Sequence, residues 1–224
     1  NTALVEWFHP TCRVLNGLSY CKWWPMARQH NSMGDGFFQI LPHQARSLFE
    51  SNILSLFGHS LTAVQHTAVY RAILGDAEKL SVDQDFAFTL VHLPIPHAPF
   101  VYNRKTGDFT LANSPVRGYV DSLALLDRTV GEIRGVMEKA GAWDATTVIF
   151  TSDHPYREAE ELDGKTDPRI PYLLKMSGQK QGIAYGLKFN TVLTGDLVLA
   201  ILRGEVVDTA AVVQWLDANR SRIP

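Results

Sequence analysis

Two short stretches hold the side chains with chemistry. In residues 146–157, TTVIFTSDHPYR, an apolar and β-branched run ends in Asp153 and His154, and Arg157 follows closely. In residues 91–100, VHLPIPHAPF, His92 and His97 lie on a path stiffened by Pro94, Pro96 and Pro99. A carboxylate beside a neutral imidazole, where the chain leaves a strand, suits Zn²⁺, or Mn²⁺ if more oxygen ligands join. The plainer role for the pair is a strand-ending aspartate with an incidental histidine. Two imidazoles held rigidly at a cleft donate hydrogen bonds to an anion or pass protons. Their plainer roles are a buried His92 satisfied by backbone and a surface His97. Arg157 suits a bidentate clamp on phosphate or sulfate oxygens, or a solvated surface. His9, His59 and His66 show no partner in the sequence and read as structural or exposed.

The elements that must position these groups follow from periodicity. Residues 2–7 read as a first strand. Residues 9–35 read as an irregular excursion carrying Trp23 and Trp24. Helical spacing appears over 42–57 and 61–80. The run FAFTLVHL, residues 86–93, has the near-continuous apolar character of a strand buried on both faces. Residues 116–140 make the longest helix, with Val120, Leu123, Leu126, Asp127, Val130, Ile133 and Met137 on one stripe and Gly141 as the stop. Asp127, within that stripe, is expected to be at least partly buried and hydrogen-bonded. Residues 146–151 and 170–176 read as strands, and 196–202 and 210–219 as short helices. The alternation predicts an α/β fold with a layered, mostly parallel sheet and helices on both faces. Ligands in such sheets bind beyond the carboxyl ends of strands. Both chemical stretches follow a strand, so Asp153, His154 and His97 are expected to face one cavity.

Composition bounds the function. The chain has 224 residues and is 46% hydrophobic, enough for one domain over residues 1–224. A net charge of -2 gives no electrostatic case for nucleic acid. The opening Asn-Thr-Ala-Leu-Val reads as a strand met in mid-protein, so more chain is expected upstream. Cys12 and Cys21 leave two readings open: a local disulfide in an oxidising compartment, or two reduced thiols.

Four ordered blocks then carry a resemblance: residues 91–100, VHLPIPHAPF; 118–133, GYVDSLALLDRTVGEI; 144–154, DATTVIFTSDH; and 169–174, RIPYLL. Together they resemble the sulfatase-like branch of the alkaline phosphatase superfamily, which includes lipoteichoic acid synthases and phosphoethanolamine transferases. The resemblance spans about residues 84–200. It implies a metal-dependent hydrolase or transferase acting on phosphate or sulfate esters. It assigns Asp153 and His154 to a divalent metal, Zn or Mn, or Ca if the chain is a true sulfatase. It points to His97 first and His92 second as groups contacting substrate oxygens or the leaving group; Arg157, from its own chemistry, is the candidate substrate-binding residue. It implies an extracytoplasmic location and, for the transferases, a membrane attachment upstream. The family's nucleophile and the acidic ligand on its first strand are not recognised in the chain, so the nucleophile is expected upstream of Asn1. Residues 1–224 would then be an incomplete catalytic domain, inactive alone. Lys175 is the nearest candidate for a basic residue after the Pro-Tyr strand. The alternative is a non-catalytic domain of the same fold that binds a glycan or lipid head group.

Overall fold

A computed structural model describes residues 1–25, 37–38, 41–42, 45, 58–111 and 115–222. The helix expected over 42–57 and the side chain of His59 lie outside the described residues. The chain divides into two compact units, Asn1–Met137 and Glu138–Pro224.

The first unit is built on β1 (Thr2–Trp7), α1 (Thr11–Val14), β2 (Tyr20–Trp24), α2 (Gly58–Leu80) and β3 (Phe88–Val91). The three strands form one parallel sheet in the order β2-β1-β3. The central strand β1 is buried from Ala3 to Trp7. Ala3, Val5 and Trp7 pack with Ile73 and Leu80 of α2, which is the helix-on-sheet layer that apolar alternation in β1 dictates. Two expectations are corrected here. The segment carrying Trp23 and Trp24 is strand β2, not irregular chain, because Tyr20 to Trp24 pair in register with Ala3 to Trp7. Strand β3 is half-buried rather than covered on both faces, with Leu90 48% exposed. Among the described residues, β3 lies at the edge of the sheet.

Cys12 and Cys21 form a disulfide that ties α1 to β2. Lys22 Nζ lies 2.7 Å from Asp76 Oδ2, an ion pair between β2 and α2.

A short antiparallel hairpin, β4 (Tyr102–Asn103) and β5 (Asp108–Phe109), precedes the long helix α3 (Pro115–Lys139). The helix stops as expected: Gly141 takes φ 70°, which glycine adopts without a Cβ clash. Its inner face is rotated from the expected one. Asp127 is exposed and Leu123 is 40% exposed. The buried line runs instead through Gly118, Asp121, Ser122, Leu125, Thr129 and Met137. Two of its buried polar members are paired: Thr129 Oγ1 bonds the Tyr70 hydroxyl at 2.8 Å and donates to the Leu125 carbonyl, and Asp121 accepts from Arg104 at 3.1 Å. Hydroxyls and one paired carboxylate therefore occupy positions that a hydropathy stripe leaves to solvent.

The second unit contains β6 (Val148–Thr151), α4 (Glu160–Asp163), β7 (Tyr172–Lys175), a 3₁₀ turn (Thr191–Leu193), α5 (Thr194–Leu202) and α6 (Thr209–Asn219). Strands β6 and β7 pair antiparallel, and β6 is half-exposed rather than buried. The core gathers Met176, Leu197, Ala200, Val206, Val212 and Leu216. Asp208 caps α6 by accepting from the Ala211 amide at 2.8 Å. Taken together the chain is α/β, with a parallel sheet and helices. Among the described residues no helix is long and apolar enough to cross a membrane.

Candidate functional site

The carboxyl edge of the parallel sheet in the first unit collects histidines. Strand β1 ends in Glu6 and Trp7, and β3 runs directly into His92. Because β1 and β3 are parallel and pair Val5 with Val91, residues 6 and 92 emerge side by side. Glu6, 7% exposed, accepts a hydrogen bond from His92 Nδ1 at 2.8 Å. A buried carboxylate facing an imidazole fixes the ring's orientation and sets which nitrogen carries the proton.

Trp7 is the hub of the cluster. Its ring centroid lies 5.0 Å from that of His97, 5.8 Å from His66 and 6.0 Å from His92. His97 is exposed, and its Nδ1 donates to the Ala98 carbonyl, which leaves Nε2 for other work. His66, on α2, is 5% exposed, and its Nε2 has no hydrogen-bond partner among the described residues. Burial first, and the neighbouring His97 second, push His66 down to about 4, against a weaker opposing bond to the Pro94 carbonyl. It is therefore a neutral imidazole at ordinary pH.

His9 completes the group. Its ring lies nearly parallel to that of His92, at 16° and 6.1 Å between centroids. Phe8 makes this placement with φ 74°, a left-handed conformation rarely adopted by a side chain of its size. His9 is exposed and His66 buried, in keeping with their reading as exposed or structural residues; their place beside His92 and Trp7 is what the sequence did not show. Glu6, His9 and His66 are the members of this cluster that sequence reasoning missed. The one available signal was Glu6, an acid near the end of an otherwise apolar strand.

The second unit holds the other predicted residues. Asp153 Oδ2 and His154 Nε2 are 3.8 Å apart just beyond β6. His154 Nδ1 donates to the Pro155 carbonyl at 2.7 Å, and Ser152 Oγ donates to the His154 carbonyl at 2.8 Å. A backbone carbonyl that holds one ring N–H fixes the ring's orientation and leaves the other nitrogen as the one that would face a metal. As two donors, Asp153 and His154 fit a divalent cation. Among the described residues no group of three or more such side chains gathers to hold one. Arg157 is exposed. Lys175 is committed elsewhere: its ammonium donates to the carbonyls of Trp143, Asp144 and Thr146, at 2.5, 3.3 and 2.9 Å, and packs over the Trp143 ring. It holds the turn before β6 rather than serving as a free basic group. The structure thus sets His92 and His97 around the Trp7 ring in one unit and Asp153 beside His154 in the other.

Fold and edge together define an α/β protein with a histidine cluster at the carboxyl ends of parallel strands, the place where such sheets commonly bind ligands. The chain belongs to the Sulfatase family, whose profile matches residues 22–195. Among solved structures, that of Ps i-CgsB in complex with k-i-k-neocarrahexaose shares the fold, with a TM-score of 0.51 at 16% identity. The match covers 95% of this chain and 52% of that one, so the chain spans about half the length of that structure. No curated protein matches the chain significantly.

Proposed function

We propose that the chain serves the hydrolysis of sulfate esters, assisted by a divalent cation. The observation that carries this reading is the imidazole-lined edge of the parallel sheet, His92 fixed by Glu6 with His97 alongside, in a chain of the Sulfatase family. Cleaving a sulfate ester leaves an alkoxide or phenoxide that needs a proton. His97, exposed and with Nδ1 donating to the Ala98 carbonyl, acts as the imidazolium: it gives its Nε2 proton to the leaving oxygen as the S–O bond breaks and returns to the neutral Nδ1–H form. His92, oriented by Glu6, binds the ester oxygens. In the second unit, Asp153 and His154 would supply two ligands to a divalent cation, which would offer Lewis-acid stabilisation of negative charge. Arg157 would bind a sulfate oxygen. The disulfide of α1 and β2 supports an extracytoplasmic location.

The test is turnover of aryl sulfate and aryl phosphate by the full-length protein with added Ca²⁺, Mn²⁺ or Zn²⁺. Since the structural neighbour was solved with an oligosaccharide, a sulfated oligosaccharide is the first natural substrate to assay. Aryl sulfate turnover that is lost in Asp153→Ala supports the reading. Turnover of aryl phosphate alone, or of neither ester, refutes it.

A further inference from the structure

Resting on the divalent-cation reading of Asp153 and His154, we propose that Ser152 is a positioning residue for that cation. Its hydroxyl folds residues 152–155 so that one carboxylate oxygen and one ring nitrogen face the same ion.

The pair needs such a device because its members are consecutive. Successive side chains of an extended chain point to opposite faces. Asp153 and His154 follow almost directly on β6, which ends at Thr151. Continued extension would carry the carboxylate and the ring apart. Instead Asp153 Oδ2 and His154 Nε2 lie 3.8 Å apart. Carboxylate oxygen and imidazole nitrogen bind Zn²⁺ at about 2.0–2.2 Å, so one ion placed between the two atoms reaches both.

Two hydrogen bonds account for the fold-back. Ser152 Oγ donates to the His154 carbonyl, two residues ahead, at 2.8 Å. Serine makes such local bonds where a chain leaves regular structure, because its short hydroxyl reaches nearby backbone. The bond fixes the peptide between His154 and Pro155. The Pro155 carbonyl then accepts from His154 Nδ1 at 2.7 Å, which leaves Nε2 as the nitrogen near Asp153. Pro155 itself stiffens the path through its ring. Ser152 is half-buried, whereas Asp153 is exposed, so the orienting group is better shielded than the ligand it serves. The neighbouring hydroxyl has a different task. Thr151 Oγ1 donates to the Pro171 carbonyl at 2.9 Å and ties the end of β6 to the chain entering β7. Thr151 therefore holds the strand pair, and Ser152 holds the loop that carries the ligands.

The test is calorimetric binding of Mn²⁺ and of Zn²⁺, each alone, to the full-length protein. Partners that orient a metal ligand contribute about 10–100-fold in affinity, and Ser152→Ala is expected to weaken both ions by that factor. Ser152→Thr keeps the hydroxyl and restores binding to near the wild-type value. Thr151→Val removes a hydroxyl one residue away and leaves the affinity near wild type, which separates orientation of the ligands from general loosening of the strand end. The proposal is overturned if Ser152→Ala binds both ions as wild type does, if Ser152→Thr fails to restore binding, or if Thr151→Val loses as much as Ser152→Ala. Binding that is lost in Asp153→Ala and untouched in Ser152→Ala keeps the cation and removes Ser152. A wild type that binds neither ion, or binding that survives Asp153→Ala, removes the cation reading and this proposal with it.

Discussion

Replacing Glu6 by Gln isolates the charge of the Glu6–His92 pair, because the side chain keeps its volume in a site only 7% exposed. The bond lost is charge-assisted, 2.8 Å long, between a buried carboxylate and His92 Nδ1. Such bonds contribute about 1.5–3 kcal/mol and neutral ones about 0.5–1.5, so the substitution removes about 1–2 kcal/mol. For a chain of this size each kcal/mol is about 2–4 °C in melting temperature, which places the expected drop at about 2–8 °C. Glu6→Leu goes further, removing the acceptor and releasing the His92 ring to exchange its proton between nitrogens. Thermal unfolding measures the first effect. Ring ¹⁵N shifts of His92 measure the second, with the Nδ1–H form dominant in the wild type and reduced in Glu6→Leu. If Glu6→Gln melts within about a degree of wild type and Glu6→Leu leaves the His92 tautomer unchanged, then Glu6 does not hold His92.

Three other outcomes follow from the structure. A Cβ at Gly118 would sit 2.5 Å from Phe100 Cβ, next to backbone that cannot easily yield, so Gly118→Ala is expected to cost about 1–3 kcal/mol in urea unfolding; an unchanged midpoint contradicts the close approach. His66 binds its proton at about 4 when folded and at 6.5 when unfolded, so the unfolded state holds more protons between those values and stability falls as pH drops from 6.5 to about 4. The loss amounts to about 3 kcal/mol, and His66→Phe flattens that limb of the stability–pH curve; an equally steep limb in the variant refutes the assignment. The disulfide closes a loop of sequence separation 9, worth about 2.5 kcal/mol by chain entropy. Cys12→Ser/Cys21→Ser should lose that much, and free-thiol titration of the unreduced native protein should find no reactive cysteine.

The parts of the fold that were legible in sequence are those governed by local rules. The strand at residues 2–7, the long helix and its glycine stop, and the two C-terminal helices all follow from apolar spacing and capping. Strand β2 was hidden because prolines, glycines and paired tryptophans around it look like loop, and its place is fixed by pairing with β1 over a distance that periodicity does not sense. The inner face of α3 was hidden because its buried line includes Asp121, Ser122 and Thr129, whose partners Arg104 and Tyr70 come from elsewhere in the chain. At the site, His92 and His97 stood out because prolines frame them. His9 and Glu6 did not, because their roles depend on a parallel register that sets residue 6 beside residue 92 and on a left-handed Phe8. Neither leaves a mark in composition.

The central claim is that the histidine-lined edge performs proton transfer to the leaving group of a sulfate ester, and leaving-group dependence tests it most directly. The measurement is kcat/KM of full-length wild type and His97→Gln for aryl sulfates whose phenols range from strongly to weakly acidic. A good leaving group needs no proton, so His97→Gln should be nearly silent on the most acidic phenol. On the least acidic phenol it should slow turnover by about 10²–10⁴-fold, the usual range for a positioned acid. An equal loss across the whole series, or none anywhere, would contradict the assignment of His97 as that acid.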